Sequence, residues 1–206
     1  MDDVAYLHAW RDGDRDAGAA LFERYYDLVT RFFRNKAGEE ASDLVQETFL
    51  RMVRTQDRMR DGTTFRCYLF GVARMVLLEH YRAKRLNRER IDFMHVTAAD
   101  LGLTPTSALA RAREEQLLLE ALRSIPVEMQ IVLELYYWEN MSGREIAEII
   151  GIPEGTARTR LRRARHRLED RLKRLARSPL ELKSTVTRLD SWAEGLRARL
   201  GKEDFA

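Results

Sequence analysis

The densest group of charged side chains in this sequence lies between residues 152 and 168. The stretch IPEGTARTRLRRARHRL contains six arginines and a histidine. Pro153 and Glu154 are typical of a helix start, because the first turn tolerates the missing amide hydrogen of proline and stabilises a carboxylate at its positive dipole end. Arginine donates paired hydrogen bonds to phosphates and to the edge of guanine. These residue types therefore indicate non-covalent binding of a polyanion.

On a helix that turns by about 100° per residue, the apolar and basic residues of this stretch separate onto two faces. The apolar stripe consists of Leu161, Ala164, Leu168, Leu172 and Leu175. The opposite face carries Thr159, Arg162, Arg163 and His166, flanked by Arg158, Arg160, Arg165 and Arg167. Such a helix suits a groove walled by phosphates. For the helix taken alone, a solvated basic face is the alternative interpretation.

The residues before this helix favour binding in a groove over a solvated basic face. In SGREIAEIIG, 142–151, Ser142 and Glu145 have the spacing of a capping box, and Gly151 suits the end of a helix. A short helix, a turn and the basic helix have the layout of a helix-turn-helix, whose second helix enters the major groove. The residues expected to face base edges are Thr159, Arg162 and Arg163, and those expected to contact phosphates are Arg158, Arg160 and Arg165.

Composition limits the classes of protein that remain. The 206 residues include 36 Lys and Arg against 33 Asp and Glu, for a net charge of +3, so the basic residues are concentrated in patches. A second basic run, RAKRLNRER, spans 82–90, and two patches indicate two contacts with a polyanion. The single cysteine, Cys67, excludes an internal disulfide, fits a reducing cytoplasm, and is interpreted as a buried, unreactive thiol. We find no spacing typical of a metal site, a cofactor loop, a catalytic constellation, a signal peptide or a membrane span.

Helical periodicity dominates the chain and predicts an all-α protein of two small domains. The predicted helices lie near 3–11, 15–35, 41–56, 63–88, 107–124, 126–138, 142–150 and 153–176, with a further one near 180–200. The periodicity is lost around Pro105, among Ser, Thr and Gly. The predicted organisation is a first domain at 1–90, a flexible linker at 91–112, a helix-turn-helix domain at 113–177 and a C-terminal extension at 178–206.

The predicted helix with the sequence SDLVQETFLRMV, 42–53, places polar and apolar residues together on its outward face. The residues expected to face inward are Val45, Thr48, Phe49 and Met52. Those expected to face outward are Asp43, Gln46, Glu47 and Leu50, joined by Arg54. An outward apolar residue among acidic and amide groups is typical of a protein-docking face. Taken alone the pattern is weak, and a solvated face remains the alternative.

Aromatic and basic residues interleave along TTFRCYLFGVARMVLLEHYRAKR, 63–85. Proteins bind single-stranded nucleic acid by stacking aromatic side chains on the bases and by binding the phosphates with arginines. The candidate strand contacts are Arg66, Tyr68, Arg74, Tyr81, Arg82 and Arg85. The positions interpreted as core are Phe65, Leu69, Val72 and Val76. The pattern leaves open whether Tyr68, Phe70 and Tyr81 belong to the core or to the strand-binding face.

Together these stretches strongly resemble the extracytoplasmic-function (group four) sigma factors of bacterial RNA polymerase, in the sigma-70 family. The resembling segments are WRDGDRDAGAALFERYYDLVTRFF, SDLVQETFLRM, FRCYLFGVARMVLLEHYRAKR and LRSIPVEMQIVLELYYWENMSGREIAEIIGIPEGTARTRLRRAR. They cover about 8–90 and 115–175 in the family's order and at its spacing. The resemblance implies a non-enzymatic subunit, without cofactor, that binds core polymerase and directs promoter recognition and transcription initiation. It also implies a region-two-like first domain and a region-four-like second domain.

The resemblance implies roles for particular residues. The family's D-x-x-Q-E-x-F helix docks on the clamp helices of the largest polymerase subunit, a role that falls here on Asp43, Gln46, Glu47 and Leu50, with Phe49 as core anchor. Its aromatic-basic helix and the loop before it melt and read the minus-ten element, which maps onto 57–64 and 65–85. Its second domain reads the minus-thirty-five element, which implies groove contacts by Arg158, Thr159, Arg162 and Arg163.

The sequence departs from the family at two positions of the aromatic-basic helix. Met75 and Glu79 stand where the family commonly has Asn and Asp. Methionine cannot make the base contacts of an amide, so the minus-ten specificity is left open. The partners that the resemblance implies are core RNA polymerase, promoter DNA and, as a third candidate, an anti-sigma factor, which the family often has.

The extension at 178–206 goes beyond the resemblance. Its apolar stripe, at spacings of three and four residues, consists of Leu182, Val186, Leu189, Ala193, Leu196 and Leu200. The stripe needs a partner surface, which is either the chain's own second domain or a DNA or polymerase surface that it masks. The rival function is a free-standing helix-turn-helix regulator that binds duplex DNA without polymerase, and it leaves the 42–53 face unexplained.

Overall fold

The computed structural model describes residues 2–59, 62–84, 92–98 and 113–176, with the backbone alone for 113–115. These residues form eight α-helices, include no β-strand, and contain no helix long and apolar enough to cross a membrane. The helices are α1 Asp3–Arg11, α2 Arg15–Ala37, α3 Ala41–Thr55, α4 Phe65–Lys84, α5 Arg113–Arg123, α6 Val127–Tyr137, α7 Gly143–Ile150 and α8 Glu154–Leu175. The all-α prediction is confirmed.

The eight helices predicted between 3 and 176 are all present within the described ranges, with bounds that differ by a few residues. The differences are small because apolar periodicity and caps are local signals. Several predictions fall outside the described residues. They are the extension of α4 to 88 with Arg85, the start of α5 before 113, most of the linker and the helix near 180–200.

Local capping and one close approach fix the pairing of α1 with α2. The Asp2 carboxylate accepts a hydrogen bond from the Ala5 amide at 2.8 Å, and Asp14 accepts from two amides in the first turn of α2. A Cβ at Gly18 would lie 2.6 Å from the ring of Trp10. Glycine is therefore required for these two helices to lie this close.

Helices α1–α4 form the first half of the molecule. One side of α4 is buried from Phe65 to Tyr81, and its Phe70 meets Phe32 of α2 edge to face, with ring centroids 5.7 Å apart. The residues of α3 that were expected to face inward, namely Val45, Thr48, Phe49 and Met52, are all buried. The inward side of the α3 prediction is confirmed.

Helices α5–α8 form the second half and contain the helix-turn-helix. The predicted capping box is present, since Ser142 Oγ accepts from the Glu145 amide at 3.3 Å and Glu145 Oε2 accepts from the Ser142 amide at 2.8 Å. Gly151 ends α7 with a φ of +71°, a conformation that favours glycine. The apolar stripe of α8 is confirmed by the burial of Ala164, Leu168 and Leu172.

One of the two hydrophobic clusters among the described residues spans both halves, and the other lies among α5, α6 and α8. Ile131 and Leu135 of α6 and Ile149 of α7 belong to the same buried cluster as the core residues of α2 and α4. The described end of the predicted linker, 92–98, is anchored there as well, because Phe93 is buried and its carbonyl oxygen accepts from the Glu128 amide at 3.2 Å. The second half is thereby held against α2 and α4.

Candidate functional site

The outward face of α8 is open to solvent in its N-terminal half. The exposed residues include Thr159, Arg162 and Arg163, as the helical wheel predicts. The Arg158 side chain is 73% exposed and pairs with Glu154 one turn earlier. Its stem covers Gly143 at the start of α7, where a Cβ would lie 3.3 Å from Arg158 Cγ. This contact sets α8 against α7 and leaves the guanidinium at the surface.

The two flanking arginines expected on phosphates differ in their surroundings. Arg165 is exposed, with its guanidinium 5.8 Å from the centroid of the Tyr137 ring. Arg160 is turned toward α6, where its Nη1 lies 3.6 Å from Glu128 Oε2 and its side chain is 19% exposed. Arg165 can reach an external phosphate in this arrangement, whereas Arg160 is engaged inside the molecule.

The outward face of α3 joins acidic, amide and apolar side chains. Asp43 and Gln46 are exposed, Leu50 is 44% exposed, and Val53 in the next turn is 47% exposed. Beneath them Phe49 is buried against Phe22, with ring centroids 4.7 Å apart. The outward orientation predicted for this face is therefore present. Sequence reasoning missed Val53, although its spacing of three residues from Leu50 places it on the same side.

Glu47 and the divergent Glu79 are joined by one arginine. Arg51 Nε lies 2.6 Å from Glu47 Oε1, and its Nη1 lies 2.6 Å from Glu79 Oε2. The hydrogen bond that Arg51 donates to Glu47 and, to a smaller extent, the carboxylate of Glu79 raise the pKa of Arg51 above its usual value. Glu79 thus faces α3, while Met75, the other departure from the family pattern, is 53% exposed.

The α4 residues predicted to grip a single strand do not share one environment. Arg82 is exposed, with its guanidinium 5.3 Å from the centroid of the Phe93 ring. Tyr68 is half-buried and donates its hydroxyl to the Thr55 carbonyl oxygen at 2.9 Å. Arg66 and Arg74 bind carboxylates of the second half. The last member of the predicted set, Arg85, lies outside the described residues.

Tyr81 is a core residue, which contradicts its prediction as a strand contact. Its side chain is fully buried, and its hydroxyl donates to the Lys36 carbonyl oxygen at 2.8 Å. Burial raises the pKa of this phenol. The reason is its register, because Tyr81 follows Leu77 by one turn on the face that also buries Phe70. Cys67 is buried too, and burial raises the pKa of its thiol, as expected for an unreactive cysteine.

Three glutamates in or just after α6 bind cations, and the sequence analysis missed them. The pairs are Glu128 with Arg74 and Arg160, Glu134 with Lys36, and Glu139 with Arg31 and Arg66. All but Arg160 of these cations belong to the first half. A signal was present, since glutamates inside the apolar run PVEMQIVLELYYWEN become buried with it, and a buried carboxylate needs a cation.

The pair of Lys36 with Glu134 is the most buried of these contacts. Lys36 is 0% exposed, and Glu134 Oε1 also accepts from Asn35 Nδ2 at 3.1 Å and from Gln130 Nε2 at 2.8 Å. Burial lowers the pKa of Lys36, and the negative charge of Glu134 opposes that shift. The network therefore holds a buried ion pair between α2 and α6.

Known proteins match this chain in both halves. Residues 21–86 match the family model "Sigma-70 region 2", and residues 115–168 match "Sigma-70, region 4". RNA polymerase sigma factor CarQ of Myxococcus xanthus is 30% identical over 171 residues, which cover 81% of this chain and 95% of CarQ. The ECF RNA polymerase sigma-E factor of Haemophilus influenzae is 25% identical over 184 residues, 85% of this chain and 97% of that protein. The chain belongs to the extracytoplasmic-function sigma factors of the sigma-70 family.

As a sigma factor, the chain is a DNA-binding subunit of RNA polymerase that directs promoter recognition and transcription initiation. The free-standing regulator is not favoured, because both sigma regions are present. The fold matches that of the sigma factor RpoE of Bartonella quintana, solved with the anti-sigma factor NepR, at a TM-score of 0.52 and 23% identity. That match covers 74% of this chain and 96% of the other, and at this identity it shows the fold alone.

Proposed function

We propose that the outward face of α3 docks this sigma factor on the clamp helices of the largest subunit of core polymerase. The observation that carries the proposal is the pair of exposed apolar side chains, Leu50 and Val53, beside Asp43 and Gln46. Covering the apolar pair on a partner is favourable, and the surrounding polar groups define its register. Glu47 belongs to the same face, with its carboxylate positioned by Arg51.

In the proposed function, α8 binds the minus-thirty-five element. Arg158, Thr159, Arg162 and Arg163 are the groove contacts, and Arg165 contacts a phosphate. Their exposure and the position of α7 behind the helix support this assignment. Arg160 is a phosphate contact once it has left Glu128.

In the proposed function, α4 and the loop before it bind the minus-ten element. The strand contacts are Arg66, Tyr68, Arg74 and Arg82, with Arg85 retained from the sequence and Tyr81 removed because it is buried. Exposed Met75 offers an apolar contact where the family commonly offers an amide. A thioether forms no directional pair with a base edge, so we expect a relaxed preference at the base it meets.

In this proposal the chain contributes recognition and no catalysis, and it works in the cytoplasm with the polymerase that carries out the chemistry. The similar RpoE fold was solved in complex with an anti-sigma factor. An anti-sigma factor is therefore a third candidate partner beside core polymerase and promoter DNA.

The test of docking is run-off transcription with core polymerase, on templates selected from a random promoter library with the wild-type chain. Asp43→Arg/Glu47→Arg should abolish specific initiation and co-elution with core polymerase, because the reversed charges oppose the docking register. The matched control is Glu23→Arg/Asp27→Arg, which reverses two exposed carboxylates at the same spacing on α2. Specific initiation that survives the α3 reversal would overturn the docking assignment.

A footprinting experiment without polymerase separates this proposal from the rival. A sigma factor of this kind binds duplex DNA weakly when free, and its affinity falls steeply with salt because phosphate contacts release counterions. Strong, specific protection of duplex sites by the isolated chain, together with failure to co-elute with core polymerase, would favour the free-standing regulator.

A further inference from the structure

The last residue of α1 is bonded to the turn that follows the proposed docking helix. Arg11 Nη2 donates to the Gln56 carbonyl oxygen at 2.7 Å and to the Met59 carbonyl oxygen at 3.3 Å, and Arg11 Nε donates to the Gln56 oxygen at 3.3 Å. Residues 56–59, named here the exit turn, follow the end of α3 and begin the loop that is proposed to bind the minus-ten element. One side chain of α1 thus holds the backbone at the start of that loop.

We propose that Arg11 is a positioning residue for minus-ten recognition, which fixes the direction in which the loop leaves α3 without itself contacting DNA or polymerase. This inference rests on the proposed function, in which the outward face of α3 docks on polymerase and the loop before α4 binds the minus-ten element. Because the loop begins directly after the docking helix, the path of the exit turn sets where the loop lies once α3 is docked.

The bonds from Arg11 fix the backbone of the exit turn. Both acceptors are main-chain carbonyl oxygens, and the last carbonyl groups of a helix have no partner within the helix itself. The guanidinium group is a planar, charged donor, and its hydrogen bonds are stronger than those between neutral groups. The Gln56 oxygen also accepts from the Met59 amide at 3.4 Å. The turn is therefore closed on itself and tied to α1.

The backbone that carries Arg11 is itself held in one unit with the docking helix. Trp10, the preceding residue, is 8% exposed and meets Phe22 of α2 edge to face, with ring centroids 5.2 Å apart. Phe22 in turn packs against Phe49 of α3, the buried anchor beneath the docking face. The end of α1 and the docking helix therefore share one set of packed rings, and Arg11 extends this unit to the exit turn.

The exit turn carries two charged side chains at the surface. Asp57 and Arg58 are exposed and lie in the chain between the two residues whose carbonyl groups Arg11 binds. Arg58 also lines the groove beside α4 that Tyr68 and Met75 line. A group held in place before binding avoids the entropy cost of being ordered when its ligand arrives. Holding the turn thus keeps the start of the loop beside the proposed strand-binding face.

Two further bonds hold the loop from the side of α4. The Tyr68 hydroxyl donates to the Thr55 carbonyl oxygen at 2.9 Å, and Thr64 Oγ1 accepts from the Cys67 amide at 3.2 Å in the first turn of α4. These bonds do not involve α1. Loss of Arg11 should therefore loosen the exit turn and leave the start of α4 in place.

The first experiment measures hydrogen exchange in the isolated full-length protein by mass spectrometry. In Arg11→Gln, peptides that cover 56–59 should exchange at least about threefold faster, because the turn loses its charged donor and opens locally. The matched control is Arg15→Gln, which removes the same charge from an exposed position in the first turn of α2. Equal exchange of 56–59 in the two variants would overturn the role of Arg11 in holding the turn.

The second experiment measures promoter discrimination by core polymerase with the same proteins. Initiation is compared between a template selected with the wild-type chain and templates that carry single base changes in the minus-ten element. Arg11→Gln should lower the ratio of these initiation rates by at least about threefold, because the loop is no longer held before binding. Co-elution with core polymerase should be unchanged, since the α3 face is intact, and Arg15→Gln should keep the wild-type ratio.

The salt dependence of promoter binding by the holoenzyme separates positioning from direct contact. Loss of a phosphate contact lowers the slope of log affinity against log salt concentration by about one, whereas loss of a positioning residue leaves it unchanged. A slope lowered in Arg11→Gln, or a discrimination ratio equal to that of Arg15→Gln, would overturn the proposal.

Arg11→Lys decides the question if Arg11→Gln does not fold. Lysine keeps the charge but lacks the planar fork, so discrimination should fall by less than in a folded Arg11→Gln and still lie below that of the wild type. Wild-type discrimination in Arg11→Lys would then overturn the positioning role. Failure of the wild type to initiate specifically would overturn the proposed function instead, because the exchange experiment requires neither polymerase nor promoter.

Discussion

Two basic helices carry the proposed DNA contacts, and their arginines have different partners. On α8, Arg162 and Arg163 are exposed, and Arg158 pairs with a residue of its own helix. On α4, Arg66 and Arg74 reach carboxylates that are 73 and 54 residues away along the chain. The surface of α8 is therefore open in this structure apart from Arg160, which meets Glu128. On α4, Arg82 is exposed, whereas Arg66 and Arg74 are occupied from within.

The difference comes from what packs opposite each helix. The buried side of α8 meets apolar residues of α5 and α6, so its basic side remains outside. The flank of α4 meets Glu128 of α6 and Glu139, two residues after the end of α6, and these glutamates bind Arg74 and Arg66. A basic pattern in a sequence thus predicts the capacity to bind an anion, whereas the tertiary packing decides which anion is bound.

The largest effect should follow from removing Lys36, a cation of α2 that binds a glutamate inside the molecule, as Arg66 and Arg74 of α4 do. Lys36→Ala leaves Glu134 buried without its cation, since Asn35 and Gln130 offer neutral donors alone. We expect the free energy of unfolding to fall by about 3–5 kcal/mol, the usual cost of breaking a buried pair from one side. Urea denaturation at pH 7 measures it.

The control for this substitution is Lys173→Ala on α8. Lys173 is 59% exposed and lies 3.7 Å from Asp170, a surface pair of the kind that contributes about 0–1 kcal/mol. If Lys36→Ala cost no more than Lys173→Ala, the distinction between internally bound and open cations would be wrong.

Arg162→Ala and Arg74→Ala should give opposite results in two assays. Arg162→Ala should weaken binding of a minus-thirty-five duplex by about 1–3 kcal/mol and change the unfolding free energy by less than about 0.5 kcal/mol. Arg74→Ala should lower the unfolding free energy by about 1–3 kcal/mol, because Glu128 is left with the longer contact to Arg160. Fluorescence anisotropy at low salt and urea denaturation supply the two measurements.

Arg174→Ala is the matched control for Arg162→Ala. Arg174 is exposed in the last turn of α8, beyond the proposed groove contacts. It should affect neither assay beyond a small, sequence-independent loss of affinity. Equal losses for Arg162→Ala and Arg174→Ala would remove Arg162 from the groove.

The sequence was sufficient to predict those structural features that depend on residues close together along the chain. The outward faces of α3 and α8 follow from the helical period, and the cap of α7 follows from the spacing of Ser142 and Glu145. Lys36 and Glu134 lie 98 residues apart, and no period or spacing relates them. Their pairing depends on how the halves pack, which the sequence pattern did not contain.

The sequence pattern left Tyr81 open between the core and the strand-binding face, and the structure places it in the core. Tyr81→Phe tests this reassignment. The substitution removes the hydroxyl that donates to the Lys36 carbonyl oxygen and keeps the buried ring. The unfolding free energy should fall by about 1 kcal/mol, the net contribution of one hydrogen bond. Binding to oligothymidine should not change, because the ring has no exposed surface. A loss of affinity with unchanged stability would return Tyr81 to the strand-binding face.

The smallest expected change in unfolding free energy comes from a substitution in α7, the helix that contacts both α4 and α8. Glu145→Gln keeps the hydrogen bonds of the capping box and removes a charge at the helix N-terminus, at a cost of about 0.5 kcal/mol at pH 7. Burial raises the pKa of Glu145, but the hydrogen bonds from Ser142 outweigh it, so the folded pKa lies below the usual value.

Because the folded pKa of Glu145 is depressed, its charge stabilises the protein above the unfolded pKa of about 4.3, and this contribution disappears as the pH falls through the folded value. The difference in unfolding free energy between wild type and Glu145→Gln should therefore shrink toward zero in acid. Glu148→Gln, an exposed change near the other end of α7, should show no such loss at pH 7. A difference that grew below pH 4 would contradict the sign of the shift. Since α7 places Gly143 beside Arg158, a weakened cap should loosen the open surface on α8 before it affects the occupied surface on α4.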